Sequence, residues 1–261
     1  MKQTGAITAF QERILNFYGE RGRNLPWRRT TDPYRILVSE IMLQQTQVER
    51  VIPFYERWLD RWSSPKALAK AELKEVLSLW MGLGYNNRAK RLLAAAATIT
   101  TDYDGDVLAA CRDYRHLPGV GEYTSKAVRI FAANEDLAAI DTNIRRIYIA
   151  EFSLDNPSPA EILKLAEQCL PRGRSRDWHN ALMDYGALHL TAAKSGISPV
   201  SKQSAFAGSV RQLRAQIVRE LLTKGTIPLA AYQDDHRFAK ALSGLQKEGL
   251  CRVEGQYLLI P

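Results

Sequence analysis

Two carboxylic acids in unlike surroundings could do chemistry in this chain. Glu40 lies in Pro33-Tyr-Arg-Ile-Leu-Val-Ser-Glu-Ile-Met-Leu-Gln-Gln-Thr-Gln-Val, where helical spacing puts Glu40 and Gln44 on one face with Leu37, Val48 and Val51. A carboxyl in so apolar a cleft has its pKa raised and can act as a general acid. Asp141, in Ala139-Ile-Asp-Thr-Asn-Ile-Arg-Arg-Ile, immediately precedes a helix with apolar Ile144, Ile147 and Tyr148. Held by helix-start amides, it is expected to stay ionised at neutral pH and to stabilise a cation developing nearby. Hydrolysis of a C–N or C–O bond at a sugar needs such a pair. Plainer roles stand beside these: Asp141 as an N-cap, a contribution of about 1 kcal/mol, and Glu40 as a core-edge residue paired with a basic neighbour.

Between the two acids comes Leu117-Pro-Gly-Val-Gly-Glu-Tyr-Thr-Ser-Lys-Ala, joining a helix that ends near Tyr114 to one that starts near Tyr123. Gly119 and Gly121 permit a tight turn and a close backbone approach, and the N–H groups opening the second helix suit a phosphate. Taken alone, the segment also reads as a simple helix–helix turn. Lys126, Arg129, Arg145 and Arg146 would supply further phosphate contacts.

The elements that must position these residues are helices. From Thr8 to about Ala193 the apolar spacing is three and four, interrupted by Pro and Gly breaks into about ten short helices. Beyond Ser195-Gly-Ile-Ser-Pro a new segment predicts a helix to about Leu222, a second from Leu229, a third over Arg237–Glu248, and a hairpin about Glu254-Gly255. This pattern describes a winged-helix-like module that either docks on DNA or protein or caps the fold. The formal charge of +8 favours a polyanionic partner. No apolar run is long enough to span a membrane and the start lacks the apolar core of a signal peptide, so no membrane association and a cytoplasmic, nucleoid-acting protein are expected. Cys111, Cys169 and Cys251 form neither a disulfide framework nor a thiolate metal site and read as small buried apolar residues.

Read together, Leu25-Pro-Trp-Arg, Pro33-Tyr, Val38-Ser-Glu-Ile-Met-Leu-Gln-Gln-Thr-Gln-Val, Trp80-Met-Gly-Leu-Gly-Tyr, Leu117-Pro-Gly-Val-Gly-Glu-Tyr-Thr, Asp141-Thr-Asn and Ala181-Leu-Met-Asp-Tyr-Gly-Ala resemble the adenine DNA glycosylase (MutY) branch of the helix-hairpin-helix superfamily, relatives of endonuclease III. The resemblance implies an all-α, two-lobed fold: a six-helix lobe over residues 25–136, a second lobe from 1–24 and 137–203, and the winged-helix-like module at 204–261. It implies a monomer acting on duplex DNA with a mispaired or damaged base. Glu40 falls on the acid that protonates the departing purine, and Asp141 on the carboxylate that stabilises the oxocarbenium ion, with Asn143 beside it. Tyr123 stands where bifunctional relatives carry a Schiff-base lysine, so a monofunctional enzyme without strand cleavage is expected. Lys126, three residues on, is expected to face elsewhere. Gln44, Gln45, Tyr85, Gly119, Val120, Gly121 and Lys126 fall on DNA contacts, with Gln45 and Tyr85 wedging into the stack where the base leaves. Trp27 and Arg28 match walls of the base pocket.

The chain also departs from that family. Leu190, Ile197, Val200 and Phe206 occupy the positions at which most members ligate a four-iron cluster, so no metal and no cofactor are expected. Instead a hydrophobic plug of these four is predicted, each worth about 1.5–3 kcal/mol if fully buried. Asn180 replaces a glutamate that typically contacts adenine, Asp141-Thr-Asn replaces Asp-Gly-Asn, and the further domain that probes 8-oxoguanine is missing. The reading is excision of adenine opposite guanine or 8-oxoguanine. A thymine or uracil mismatch glycosylase is the alternative, and a catalytically silent DNA-binding protein the other class, against which Glu40, Asp141 and Tyr123 speak together.

Overall fold

Prolines and short polar side chains set where the helices of this protein begin. The computed structural model describes residues 2–197 and 205–261, with side chains from residue 5 onward. Val200 of the predicted plug lies outside them. The chain opens with α1 (Lys2–Arg21), α2 (Pro33–Leu43), α3 (Val48–Arg61), α4 (Pro65–Leu68), α5 (Leu73–Trp80), α6 (Asn87–Asp102) and α7 (Val107–Arg112). It continues with α8 (Glu122–Ala133), α9 (Thr142–Glu151), α10 (Pro159–Cys169), α11 (Ser175–Asp184) and α12 (Ala192–Ser195). Asp32 Oδ1 accepts from the Tyr34 amide to start α2, Ser64 caps α4, and Ser158 with Glu161 forms a capping box on α10. The C-terminal module comprises α13 (Val210–Lys224), β1 (Thr226–Pro228), α14 (Phe238–Lys247), β2 (Arg252–Glu254) and β3 (Tyr257–Leu259). No helix among the described residues is long and apolar enough to cross a membrane.

The predominantly α-helical architecture with a small winged-helix-like end matches expectation. Differences are local. The predicted helix from Leu229 is one 3-10 turn, Leu229–Tyr232, and the strand β1 was not foreseen because three residues cannot display an alternating pattern. The strands form an antiparallel sheet ordered β1-β3-β2, with Ile227 opposite Leu258. In the N-terminal half, α2 ends at Leu43, so Gln44 lies past the helix and does not share the Glu40 face. Neither Gly nor Pro marks that break; Gln45 turns the chain with a left-handed φ of 56°.

The chain divides into two compact units. The first comprises Met1–Glu40, Cys111–Tyr114 and Val120–Lys202. Its core gathers Phe10 and Ile14 of α1 with Ile147, Tyr148, Ile162, Trp178 and Leu182, and Trp178 meets Phe10 edge to face at 5.5 Å. At the end of α11 the helix widens into a π-turn, Tyr185–His189. Asp184, at that junction and fully buried, accepts from Arg28 Nη1 at 2.7 Å and Nη2 at 2.8 Å, and from Arg23 Nε at 2.6 Å. This bidentate pair fastens the short turn Pro26–Arg28 to α11.

The second unit comprises Ile41–Ala110, Arg115–Gly119 and Gln203–Pro261. Trp58 packs edge-on against Trp62 and Trp80. Buried Arg88 heads the apolar stripe Leu92, Ala95, Ala96 and Ile99 of α6. Its guanidinium donates to the carbonyls of Ile41, Met42 and Gln44, to Thr46 Oγ1 and to the carbonyl of Gly84. One cation therefore satisfies the carbonyls ending α2 and ties the Gln44–Thr46 turn to the Gly82–Tyr85 turn.

Burial alone would raise the Asp184 carboxyl, but bonds from Arg28 and Arg23 hold it below the usual carboxylate range. A carboxyl depressed in the folded state contributes stability above its unfolded pKa of about 4, and loses it as pH falls through the folded value. Asp184→Asn leaves Arg28 uncompensated and should cost about 3 kcal/mol at neutral pH. Urea unfolding from pH 7 to pH 3 should show a shallower acid loss in the variant than in the wild type.

Candidate active site

The first unit brings Glu40, Tyr123 and Asp141 into one electrostatic neighbourhood. Glu40 follows the buried residues Ile36, Leu37, Val38 and Ser39 in α2, yet keeps part of its surface at solvent. Burial of its carboxyl, and next the negative charge of Asp141, push its pKa up to about 8, against a smaller opposing pull from Arg28. At neutral pH it is therefore a carboxylic acid. Tyr123, in the first turn of α8, is raised well above the ordinary phenol range by burial and by the charges of Glu40 and Asp141, and stays protonated.

Asp141 is the N-cap of α9. Its Oδ1 accepts from the Ile144 amide at 2.7 Å and its Oδ2 from Asn143 Nδ2 at 3.0 Å. Burial raises its pKa, and the bonds from Ile144 and Asn143 and the charge of Arg146 pull it back. Helix-start amides were expected to dominate; desolvation outweighs them. The negative charge of Asp141 in turn opposes ionisation of Glu40.

Behind Asp141 stands a relay. Asn143 Oδ1 accepts from Arg146 Nη2 at 2.9 Å, and Arg146 also donates to the carbonyls of Leu190 at 2.9 Å and Gly186 at 3.3 Å. Buried Arg146 is thus a support of Asn143 rather than the phosphate contact expected. Arg129, too, is committed elsewhere, pairing with Glu135 at 2.6 Å. A side chain at Gly186 would crowd Asn143 Cβ at 3.4 Å and Ile147 Cδ1 at 3.3 Å, so the π-turn approaches α9 closely because Gly186 has none.

Tyr123 and Asp141 open on a cleft of about 490 Å³ also lined by Lys126, Ile140, Arg145 and Ile162. Lys126 therefore shares the Tyr123 face, with Nζ 2.8 Å from Glu122, and does not point elsewhere as expected. Trp27 and Asn180 are buried in this unit, and the Asn180 carbonyl lies 3.5 Å from Arg28 Nη2. Val120 is buried, and Gly121 is the N-cap of α8 with its chain extended and no side-chain cap, leaving that helix start to other acceptors.

The other expected DNA-contact residues, Gln44, Gln45, Tyr85 and Gly119, belong to the second unit. Gln45 and Tyr85 both adopt left-handed backbone, φ 56° and 50°, a region neither side chain favours. Such strain collects at functional positions. Gly119 has φ 79°, and a Cβ there would lie 2.8 Å from Arg91 Cβ, which accounts for glycine in the hairpin.

The predicted plug does not form as a group of four. Leu190 packs partly against the first unit's core and Ile197 is partly buried, but Phe206 is 56% exposed. Among the described residues no group of His, Cys, Asp or Glu is suited to a metal ion. Cys111 in α7, Cys169 at the end of α10 and Cys251 just before β2 are all buried, and burial pushes the Cys169 thiol up to about 12. This donor set does not fit an iron–sulfur cluster.

Asp184, Arg88 and the supporting role of Arg146 escaped the sequence reading. Each left a signal: a charged residue set in an otherwise apolar helical stripe, which has to be neutralised inside the fold.

Residues 38–172, which include both carboxyls and the helical hairpin, match the HhH-GPD superfamily of base excision DNA repair proteins. An adenine DNA glycosylase of Mycolicibacterium smegmatis is 34% identical over 277 residues, covering 94% of this chain and 94% of its own. The adenine DNA glycosylase of Mus musculus is 33% identical, with 81% of this chain aligned to 44% of its length, so the chain spans less than half of that relative. Among solved structures, a thermostable thymine-DNA glycosylase superposes with a TM-score of 0.69 at 30% identity, covering 74% of this chain and 92% of that one. On the strength of a match that takes in the acid pair and of a mycobacterial relative alike almost end to end, this protein belongs to the adenine DNA glycosylase branch of the HhH-GPD superfamily.

Proposed function

We propose that this protein excises adenine from mispairs with guanine or 8-oxoguanine in duplex DNA, as a monofunctional glycosylase. The feature that supports the reading is Glu40, with its pKa raised to about 8, in the electrostatic neighbourhood of Asp141, whose carboxylate accepts from Ile144 and Asn143, at a partly accessible site. Glu40 gives its proton to the purine ring as the C1′–N bond breaks and the bonding electrons leave with the base. Asp141 stabilises the cation left on the sugar, and water adds to C1′ while its proton passes to Asp141 or to solvent. Free base and an abasic sugar result. Asn143 holds the Asp141 carboxylate, Tyr123 offers no amine for a covalent intermediate, and Trp27, Arg28 and Asn180 border the base. Gln44, the wedge residues Gln45 and Tyr85, the hairpin Gly119-Val120-Gly121 and Lys126 hold the duplex. An adenine DNA glycosylase of M. smegmatis that aligns with this chain over 94% of its own length supports adenine as the base.

A thymine or uracil mismatch glycosylase is the second reading, favoured by the likeness to the thymine-DNA glycosylase structure. Duplexes bearing adenine, thymine or uracil opposite guanine and 8-oxoguanine separate the two. Release of adenine is expected; thymine release without adenine release would replace the first reading by the second.

Single-turnover rates should follow a bell in pH. The upper limb reports Glu40, which must carry its proton, so the rate should fall about tenfold per unit above pH 8. The lower limb reports Asp141, which must have lost its proton. Asp141→Asn should slow release by about 100- to 1000-fold while DNA affinity and fold persist; unchanged rates would assign Asp141 to capping alone. Asn143→Ala removes one bond that pulls the Asp141 pKa down, so its lower limb should move to higher pH. An unmoved limb would remove Asn143 from the site.

A further inference from the structure

We propose that the C-terminal module is part of the DNA-reading surface, and that Arg211 in α13 is a positioning residue bracing Tyr85 as it enters the base stack. This rests on the reading of Gln45 and Tyr85 as the wedge.

Tyr85 ends a turn in left-handed backbone and is 40% exposed. A large ring on a strained, exposed turn has little of its own to hold it. Two guanidinium groups do so. Arg88 lies 5.6 Å from the ring centroid, anchored by the carbonyls that end α2. Arg211 lies 5.8 Å from the centroid and donates from Nη1 to the Tyr85 hydroxyl at 2.7 Å. Arg88 comes from the helical body of the second unit, whereas Arg211 comes from the module.

The position of Arg211 is not explained by its own helix. The first turn of α13 is the positive end of the helix dipole, where a cation is unfavourable. The module is also fixed well enough to aim this side chain. α13 packs against α5. Lys90 of α6 donates to the carbonyls of Glu248 at 2.8 Å and Gly249 at 3.0 Å, closing the end of α14. Gly249 has φ 61°, and a Cβ there would collide with Lys90 Nζ, so the glycine admits the lysine. Arg214 pairs with Glu248, joining α13 to the end of α14. The chain that delivers Arg211 is thereby tied to α5 and α6 on either side of the Tyr85 turn.

A brace of this kind acts when a stacked base must be displaced, and matters little when the base is already unstacked. Full-length wild type, Arg211→Ala, Arg211→Lys and Tyr85→Phe are compared, with matching thermal midpoints as the check on folding. Two readouts are taken: the brightening of a mispaired 2-aminopurine at saturating protein, and single-turnover release of adenine from a stacked mispair and from an unpaired loop. Arg211→Ala should brighten the probe less than wild type and slow release from the stacked mispair about tenfold, with the loop substrate within about twofold. Tyr85→Phe should lose part of the same effect, and Arg211→Lys should not restore it, because an ammonium lacks the planar fork. Equal loss on both substrates, full rescue by lysine, or wild-type brightening in Arg211→Ala would overturn the proposal. Wild type that brightens the probe but releases no adenine would contradict the catalytic reading and leave the brace standing. Wild type that leaves the probe dark would overturn the wedge reading and this proposal together.

Discussion

The proposed reaction depends on keeping a proton on Glu40 at neutral pH. A carboxyl ordinarily loses that proton near pH 4.5; removing water from around it and placing the Asp141 charge nearby move the value to about 8. Both acids are desolvated, so burial alone would not separate them. What divides them is hydrogen bonding: Asp141 receives the Ile144 amide and the Asn143 side chain, which favour its charged form. The two carboxyls thus sit in unlike hydrogen-bonding surroundings, the difference that an acid and a cation-stabilising base need.

That arrangement is destabilising in itself and is held by the surrounding structure. Arg28 is the opposite charge acting on Glu40, and its guanidinium is fixed by buried Asp184 rather than left to approach Glu40 freely. Asn143 is fixed by Arg146, and Arg146 by the carbonyls of Gly186 and Leu190. Leu190 serves here through its main-chain carbonyl, which does not depend on the side chain at that position. Arg88 does the corresponding work in the second unit, holding the turns of Gln45 and Tyr85 in backbone that neither side chain prefers. Three arginines, the buried Arg88 and Arg146 and the partly buried Arg28, therefore carry the geometry without themselves resembling catalytic residues.

Much of this was legible in the sequence and some was not, for physical reasons. Helices, the C-terminal hairpin and the Asp141 cap follow from local periodicity and capping chemistry, which need no tertiary knowledge. The end of α2 was misplaced because Gln45 adopts a left-handed turn that its residue type does not announce. Arg146 and Arg129 were read as phosphate contacts because a sequence displays charge but not the partner that neutralises it inside the fold. The plug failed at Phe206 for the converse reason: apolar character does not by itself oblige a loop side chain to be buried. Lys126 was turned the wrong way, since a spacing of three returns a helical residue to nearly the same face.

The most direct test is the proton affinity of Glu40 itself. Protein carrying ¹³C in its glutamate carboxyls is titrated by NMR, with the resonance assigned from Glu40→Gln. A midpoint near 8, with a perturbation as Asp141 ionises at lower pH, is the result this account requires. A midpoint in the ordinary range near 4.5, insensitive to Asp141→Asn, would show an acid that has already lost its proton at working pH, and the proposed mechanism would have no proton to give.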